Sequence, residues 1–488
     1  MTATAAQPAR GFGPALALAV FGPLIGLTVG FFGPFAFLPV VGLLFVALVL
    51  AHPEYGIALF LSTFLMTYPE SLQGSGFLTI NNVLGVIFLL HMVYKVYQEN
   101  DWWFLYSPEV QLLAFITLMF FLSDRLNGPD PQLRELLGVV EHGSENMRTF
   151  VTRCAFTVFF INFIRTPRHI LMIYLLAVAF MVTSSLLSIH DVLQGGGFAG
   201  YRAASSSVIA AAANPNREAM FSILAIAELY YVTTWIPFRA IWLIVVPTIA
   251  LMCLCVFLTA SRSGLLGLTV CVIAIVIEER FTLKTLLVAA LLGAIVGLLV
   301  VEFTPEKSFE RITNLPFTQG GEEGVGAGSL SRRAYTWEIA ADIFRENPVL
   351  GVGIGNWDLA RFLKDPTQSI GAPHSSYFLA LCEGGVFCLA AFLILLWRCW
   401  RNIRFAERFV EDPDFAIPEL RELRWVIKST KTDLLVLVFF SAFADLWQLV
   451  IVFWLVSIGI VLKRMFEQAT LAQFFKHPAL DSTEPVGV

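Results

Sequence analysis

Apolar residues dominate the chain in long runs, and short polar stretches separate each run from the next. An α-helix needs about 20 apolar residues to cross roughly 30 Å of hydrocarbon, and a helix that is apolar on every face is typical of a membrane span. The pattern places about 14 such helices, at 14–31, 33–51, 55–69, 78–96, 107–123, 148–164, 168–189, 217–234, 238–259, 263–279, 284–302, 375–397, 432–447 and 449–463.

We therefore predict an all-α fold, a polytopic integral membrane protein with about 12–14 transmembrane helices and one large outer loop that contains short helices. The segments divide the chain into N-terminal transmembrane helices at 1–200, a region with the candidate chemistry at 201–397 that includes the loop 303–374, a cytoplasmic loop at 398–431, C-terminal transmembrane helices at 432–464 and a cytoplasmic tail at 465–488.

Positive residues indicate which side of the membrane each loop occupies. If Arg10 lies inside, the alternation of spans places Lys95 and the basic stretch Arg398–Lys431 on the same side. Cytoplasmic loops are enriched in Lys and Arg, so this side is predicted to be the cytoplasm, with both termini. The loops 190–216 and 303–374 then lie on the outer side.

Composition supports this class of protein. The chain is 57% hydrophobic and 14% charged, with a mean hydropathy of +0.74, whereas about a quarter of the residues of a soluble domain are charged. The net charge is −5 and no basic patch is interleaved with aromatic residues, so nucleic acid is not an expected partner. The seven cysteines lie in or beside apolar runs, which is typical of packing thiols rather than of disulfides or metal ligands.

Arginines recur on the predicted outer side, where the positive-inside bias disfavours them. Each is therefore a candidate ligand for an anion. They are Arg125, Arg134, Arg148, Arg202, Arg217, Arg262, Arg311, Arg332, Arg333, Arg345 and Arg361.

One of these arginines is restricted by its position in a short turn. Thr259–Gly264 joins two apolar runs so closely that Arg262 must lie at the outer mouth of the bundle, which favours anion binding. Another outer segment contains Tyr201 and Arg202, and Asn214–Arg217 follows it just before the next apolar run.

The large loop contains a predicted helix that begins at a capping serine and ends before Pro348. Arg333 and Trp337 are four residues apart and share one face, whereas Arg332 points about 100° away. Either this helix lies on the membrane surface as an amphipathic helix, or Arg333 faces inward over the bundle.

Three further features lead into the next apolar helix. Gly351–Asn356 has the glycine spacing of a dinucleotide fingerprint but lacks its strand and helix, so a close-packed turn is favoured. His374 begins the helix, where the dipole favours neutral imidazole; it is either a general base or a capping residue. Glu383 lies deeper, where a carboxylate is costly unless paired, so it is either the partner of an arginine or a site residue.

In this order, these segments resemble the O-antigen ligase and polymerase superfamily of bacterial membrane glycosyltransferases. The family pattern has an Arg and an Asn-rich helix start, then T-x-S-R-x-G/A, then R-x-x-x-W and P-V/L-L-G-x-G-x-G-N/T. It ends with His-Asn at the start of a helix, followed by E-x-G or G-G. The matching residues are Arg202 with Asn214–Asn216, Thr259–Gly264, Arg333 with Trp337, Pro348–Asn356, and His374 with Glu383–Gly385. Ser375 replaces the Asn that usually follows the family's His, so the role of that amide is missing here.

The resemblance implies transfer of a whole glycan from undecaprenyl pyrophosphate to an acceptor hydroxyl at the periplasmic face of the inner membrane, without a metal or another cofactor. His374 would be the base, and Arg262 and Arg333 would bind the pyrophosphate. The implied partners are the lipid-linked glycan, a glycan or lipid acceptor, and membrane lipid. The substrate-binding candidates are Tyr201, Arg202, Asn216, Arg332, Trp337 and Glu383, with the two aromatic residues stacking on a sugar.

The acceptor stays open within this family. A lipid A core would make the protein a ligase, a growing O-antigen or exopolysaccharide a polymerase, and a protein an O-oligosaccharyltransferase. Outside the family, the alternative is a small-solute or anion transporter, which would need ionisable residues at mid-membrane. Glu383 and Asp445 are the evident ones in the sequence, and the other charges cluster in outer loops, so a transferase is favoured.

Overall fold

The computed structural model describes residues 46–65, 80–128, 143–205, 208–279, 293–313, 328–366, 373–412 and 417–476, except residues 48, 237 and 295. Arg10, Arg134, the predicted spans 14–31 and most of 33–51, and the tail beyond 476 lie outside the described residues. Residues 1–56 form one unit, in which His52 Nδ1 lies 3.5 Å from Oε1 of Glu54. The second unit, residues 57–488, contains the features discussed below.

The described elements are helices in this order: α1 Pro53–Leu65, α2 Ile80–Glu99, α3 Pro108–Asn127, α4 Gly143–Phe163, α5 Pro167–Leu193, α6 Pro215–Trp235, α7 Trp242–Leu258, α8 Arg262–Glu278, α9 Glu306–Thr313, α10 Gly328–Glu346, α11 Trp357–Lys364, α12 Ser376–Glu411, α13 Pro418–Arg421, α14 Arg424–Phe440 and α15 Val450–Lys476. The described ranges contain no strand. The all-α prediction is therefore confirmed for this part of the chain.

Two described helices, α5 and α12, are long and apolar enough to cross a membrane, and α7 is a shorter apolar helix. The other described segments that the sequence placed as spans are also helical, but they are shorter, less apolar or more charged. The polytopic arrangement therefore stays a prediction, and it is taken up under the proposed function.

The ends of several helices differ from the hydrophobic pattern. α12 continues past residue 397, and α14 begins before residue 432 and ends at Phe440. Residues 441–449 form a turn whose Trp447 is only 2% exposed. A buried turn is as apolar as a helix, so hydrophobicity did not separate the two. Asp445 consequently lies in a turn between α14 and α15 rather than in the middle of a span.

Buried ion pairs join α14 to α8 and α12. Lys428 Nζ lies 2.6 Å from Oε1 of Glu279, and Lys431 contacts both Glu278 and Glu407. Both lysines are buried. An unpaired charge in such a position is costly, so removal of either side of a pair would destabilise the packing of these three helices.

The glycine-rich turn predicted from the sequence docks against a break in α12. Gly385 has φ 72° and interrupts the helix. The backbone N–H groups of Val352 and Gly353 donate to the carbonyl oxygens of Cys382 and Glu383 at 2.8 and 2.9 Å. The break would otherwise leave these carbonyls without helical donors. The glycines therefore allow the turn to lie close to the backbone of α12. This agrees with the close-packed turn that the sequence favours for this segment.

Gly385→Ala tests this docking. The added Cβ would lie 2.1 Å from the carbonyl oxygen of Val349, at a φ of 72° that side chains rarely adopt. We expect the free energy of unfolding to fall by about 1–3 kcal/mol, measured by thermal unfolding of the purified protein. Gly85→Ala in α2 is the control, because no atom lies within 4 Å of its added Cβ; an equal loss in both variants would contradict the docking.

Candidate active site

The turn between α14 and α15 fixes the chain just before α12. Ser375 is the N-cap of α12, and its backbone N–H donates to Oδ1 of Asp445 at 3.1 Å. The backbone N–H of Ser376 donates to the carbonyl of Ser441 at 2.7 Å. His374 comes next to this anchored segment with φ 51°, a left-handed conformation that costs a non-glycine residue roughly 1–2 kcal/mol. These hydrogen bonds stabilise the position from which the imidazole projects.

His374 and Asp445 form a pair. The imidazole Nδ1 lies 3.7 Å from Oδ2 of Asp445, and the two side chains are 39% and 11% exposed. Nη2 of Arg217 donates to the backbone carbonyl of Asp445 at 3.0 Å. The imidazole is therefore open to a substrate while the carboxylate beside it is held in place.

The imidazole of His374 is neutral at physiological pH. Burial, and then repulsion from Arg333, Arg217 and Arg361, lowers its pKa to about 4. Burial raises the pKa of Asp445 to about 6, although the charge of Arg217 acts in the opposite direction. The neutral form predicted from the helix dipole is thus supported, but burial and three arginines are its main causes. A neutral imidazole can accept a proton as a general base.

Three arginines surround the turn 259–264 and are held by backbone carbonyls. Nε of Arg202 donates to the carbonyl of Thr259 at 2.8 Å. Nε of Arg311 donates to the carbonyl of Ala260 at 3.2 Å, and Nε of Arg262 donates to the carbonyl of Arg311 at 3.3 Å. A carbonyl group satisfies one N–H of a guanidinium without neutralising its charge. The short turn thus brings these cations together, while anion binding by Arg262 stays a prediction.

Arg202, Arg262, Arg311 and Arg333 form what we call the arginine cluster. Burial, and then repulsion from Arg311, lowers the pKa of Arg202 to about 10. The same two causes lower the pKa values of Arg262 and Arg333. Like charges confined in this way favour a bound anion, because it relieves their repulsion. Arg333 also interacts with Asp445, which connects the cluster to the His374 pair.

The side chains of Trp337 and Glu383 form hydrogen bonds with backbone groups near the start of α12 and in the glycine-rich turn. The indole N–H of Trp337 donates to the carbonyl of Pro373 at 3.0 Å, and its ring stacks on Phe378 at 5.5 Å. Oε1 of Glu383 accepts from the N–H of Gly355 at 2.9 Å. The Trp337 face that packs on Phe378 is not available to a sugar, and substrate binding by Trp337 and Glu383 stays a prediction.

The remaining predicted residues are distributed around the cluster. Oδ1 of Asn216 accepts from the hydroxyl of Ser261 at 2.7 Å, so it supports the turn 259–264. Tyr201 is half-buried, and its carbonyl accepts from the hydroxyl of Ser308 at 2.8 Å. Arg332 lies in α10, and its side chain is outside the described part of the structure.

A cavity of about 260 Å³ borders Asp445. Nε1 of Trp447 and Nε of Arg153 are buried and find no hydrogen-bond partner among the described residues. Both residues line the cavity. The described residues that line it are Asn146, Arg153, Arg217, Gly355, Trp357, Asp358, Pro373, Leu379, Glu383, Asp445, Trp447, Gln448 and Leu449. The lining is therefore largely polar and carries charges of both signs.

Comparison with known families bears on this arrangement. Residues 247–393 match the family model described as O-antigen ligase. The resemblance to the O-antigen ligase superfamily is thereby confirmed. The matched range contains Arg262, Arg333 and His374, whereas Tyr201 and Arg202 precede it. No curated protein matches the chain.

Sequence reasoning missed three residues at this candidate site. Asp445 was assigned to the middle of a span because the turn around it is apolar. Arg217 and Arg311 were noted only as outer arginines, although Arg217 contacts Asp445 and Arg311 lies at the centre of the cluster. The predicted outer position marked both arginines as candidates. Only the tertiary contacts show which of the candidate arginines lie at the site.

The His374 and Asp445 pair should contribute opposite pH dependences of stability. The folded pKa of His374 is about 4, below its ordinary value of 6.5. The contribution of His374 to the stability of the folded protein is therefore lost as pH falls from about 6.5 to 4. The folded pKa of Asp445 is about 6, above its ordinary value of 3.8, so its contribution is lost as pH rises from about 4 to 6.

Single variants should separate the two contributions. Asp445→Asn keeps only the His374 contribution, so the free energy of unfolding of this variant should rise with pH between about 4 and 6. His374→Gln keeps only the Asp445 contribution, so its free energy of unfolding should fall with pH over the same range. Unfolding midpoints of the purified proteins across this range measure both slopes. Parallel slopes in the two variants would show that the assigned pKa shifts are wrong.

Proposed function

We propose that this protein is a glycosyltransferase of the bacterial inner membrane. It moves a glycan from undecaprenyl pyrophosphate to an acceptor hydroxyl at the periplasmic face, in the ligation or polymerisation of a surface polysaccharide such as O-antigen or exopolysaccharide. The observation that carries the proposal is a neutral His374 that interacts with Asp445 and with the arginine cluster. The match to the O-antigen ligase family over residues 247–393 supports this reaction class.

The membrane assignment rests on composition and on the helices. α5 and α12 are apolar and long enough to span, and the O-antigen ligase family is membrane-embedded. The apolar segments predicted on either side of these helices complete the polytopic arrangement. A lipid-linked donor would then reach the site laterally between helices, with the arginine cluster at the periplasmic face.

The donor pyrophosphate binds the arginine cluster in this proposal. Cleavage of the bond between the sugar anomeric carbon and the phosphate oxygen leaves an electron pair on that oxygen. Guanidinium groups bind phosphate oxygens in bidentate geometry, and cations placed in advance stabilise charge that develops in the transition state. Arg262, Arg311 and Arg333 supply this positive charge themselves, so the transfer does not require a metal ion.

His374 acts as the general base. Its Nδ1 faces Asp445, so Nε2 is the nitrogen that accepts the proton of the acceptor hydroxyl as the hydroxyl oxygen bonds to the anomeric carbon. Asp445 stabilises the imidazolium that forms. The proton passes from His374 to solvent after undecaprenyl pyrophosphate has left.

The acceptor sugar occupies the cavity beside Asp445. Its lining carries both signs of charge. Arg153 and Arg217 are positive, and the carboxyl groups belong to Asp358, Glu383 and Asp445. A pocket with this balance has no excess of positive charge to select a phosphorylated or acidic group. An uncharged sugar hydroxyl therefore suits the cavity, which is compatible with a growing glycan or a neutral sugar of a lipid core.

One observation is consistent with the alternative that the protein is a transporter. Glu218, Glu228 and Asp433 are fully buried within α6 and α14, inside predicted spans, and the sequence analysis overlooked them. The cavity beside Asp445 is not lined by these carboxylates, and the arginine cluster lies at the turns. The position of the cavity and the cations therefore favours a transferase.

Alanine substitutions at His374, Arg262 and Arg311 test the site directly. We expect each to reduce glycan transfer by about a hundredfold or more, because a lost transition-state contact of this kind costs ~2.7 kcal/mol. Transfer is measured in membranes with a lipid-linked oligosaccharide donor, at matched expression and with a chelator present. Arg345→Ala is the control, because this α10 arginine is 72% exposed and pairs with Asp342.

The outcomes separate the parts of the proposal. Wild-type transfer with chelator and loss in the three variants agree with it, and the product length distinguishes a polymerase from a ligase. Full activity in the variants would refute the site, and a wild type that transfers no glycan would refute the reaction.

Asn146→Ala tests the acceptor cavity. Because Asn146 lines the cavity and is not part of the arginine cluster, the KM for the acceptor should rise by about tenfold, as expected for one lost hydrogen bond of ~1.4 kcal/mol, while the KM for the donor stays the same. Arg262→Lys should show the reverse pattern, since it weakens bidentate binding of the donor phosphate. Steady-state transfer rates with each substrate varied in turn measure both constants. A change in the donor KM alone for Asn146→Ala would show that the acceptor lies elsewhere.

A further inference from the structure

A second cavity lies at the far ends of two helices that begin beside the arginine cluster. Its volume is about 280 Å³, and its walls come from the end of α6, from Glu279 just after α8 and from the start of α14. Trp425 of α14 lines it, and we call it the Trp425 cavity. The start of α14 belongs to the basic stretch Arg398–Lys431, which the sequence assigns to the cytoplasmic side. The Trp425 cavity is therefore separate from the candidate active site.

A buried hydrogen-bond donor lines the Trp425 cavity. Trp425 is 1% exposed, and its Nε1 has no hydrogen-bond partner among the described residues. Two neighbours fix the indole ring, which stacks on Trp235 at 5.9 Å between ring centroids and meets Tyr174 edge-on at 5.6 Å. An indole N–H can only donate, and a buried donor without an acceptor is costly. An acceptor atom of a ligand would satisfy this donor.

Arginines add positive charge to the same walls. Arg421 and Arg424 line the cavity and are exposed, and Arg424 forms no ion pair with any described residue. Two carboxylates are also present in the described lining. One of them, Glu279, is bound to Lys428 at 2.6 Å, and the other, Glu422, is exposed. The described lining therefore holds more positive than negative charge.

An adjoining cavity lacks this excess. Its volume is about 410 Å³, and it shares Arg421 and Arg424 with the Trp425 cavity, but its other charged residues are Glu411 and Asp412. The two carboxylates balance the two arginines there. An anion held by these arginines is therefore favoured in the Trp425 cavity, where the indole donor also lies.

We propose that the Trp425 cavity binds a phosphate group at the cytoplasmic face of the membrane. Arg421 and Arg424 donate to its oxygens, because guanidinium groups match phosphate in bidentate geometry. The indole N–H of Trp425 donates to a further oxygen. α14 begins at Arg424, and its N-cap residue Leu423 makes no side-chain hydrogen bond to the helix, so the positive end of the helix dipole adds to the attraction.

The location favours a phospholipid headgroup as the source of this phosphate. Basic pockets between helices on the cytoplasmic side bind lipid headgroups, and tryptophans concentrate at the membrane interface. Trp235 and Trp425 both line the cavity, and Phe238, just after α6, is 69% exposed, which suits contact with lipid. Free phosphate offers the same oxygens, so the experiment compares the two sources. The site is independent of the proposed glycan transfer.

Thermal unfolding of the purified full-length protein in detergent tests this site. Dioleoylphosphatidylglycerol should raise the unfolding midpoint, because a ligand that binds the folded state stabilises it. Dioleoylglycerol, which has the same acyl chains without the phosphate, should not raise it. The apparent affinity for the phospholipid should fall by about tenfold in Arg424→Gln, which loses a hydrogen bond to a charged group. It should also fall in Trp425→Phe, which keeps an aromatic ring but loses the N–H donor.

Arg401→Gln is the matched control. Arg401 is an exposed arginine of α12 in the same basic stretch, and it does not line the cavity, so this variant should respond to the phospholipid as the wild type does. Because Arg424 is exposed, Arg424→Gln should unfold at the wild-type midpoint in detergent without lipid.

Inorganic phosphate at constant ionic strength identifies the source. Stabilisation by the phospholipid that inorganic phosphate neither reproduces nor blocks assigns the site to a lipid headgroup. Stabilisation by inorganic phosphate that is lost in Arg424→Gln supports the phosphate site and assigns it to free phosphate. Equal stabilisation of the wild type and Arg424→Gln, equal effects of the phospholipid and dioleoylglycerol, or no stabilisation by either phosphate source would overturn the proposal.

Discussion

The break in α12 is the constraint on which the arrangement of the site depends. A helix that stops at Gly385 and resumes exposes carbonyl groups, and a buried carbonyl must find a donor. The N–H groups of the glycine-rich turn satisfy Cys382 and Glu383. This backbone docking ties the loop that carries α10 and α11 to the start of α12. Arg333 and Arg361 are brought within electrostatic range of His374 in this way.

Electrostatic interactions then determine the protonation state of His374 and the positive charge around it. Three arginines of the cluster, Arg202, Arg262 and Arg311, are held by backbone carbonyls around a short turn, which keeps their guanidinium groups together without cancelling their charge. Burial, and then repulsion from Arg333, Arg217 and Arg361, lowers the pKa of His374 and keeps its imidazole neutral. Arg333 thus belongs both to the arginine cluster and to the surroundings of His374. A polyanionic donor bound there would reduce the repulsion and make His374 more basic at the moment when it must accept a proton.

Ion pairs satisfy buried charge elsewhere in the bundle. Lys428 and Lys431 are paired with glutamates at the ends of α8 and α12. These pairs fasten α14 to its neighbours, because a buried charge that loses its partner is costly.

The helices, and the arginines in the segments between apolar runs, were determined by the sequence itself, because apolar runs and charge are local properties that a chain reveals without its fold. The motif from Thr259 to Gly264 and the position of His374 before a helix were predictable for the same reason. The partner of His374 was not, since the turn around Asp445 is buried and as apolar as a helix. Only the tertiary structure decided which arginines converge and which carboxylates share a bundle, because these contacts join residues that are far apart in the chain.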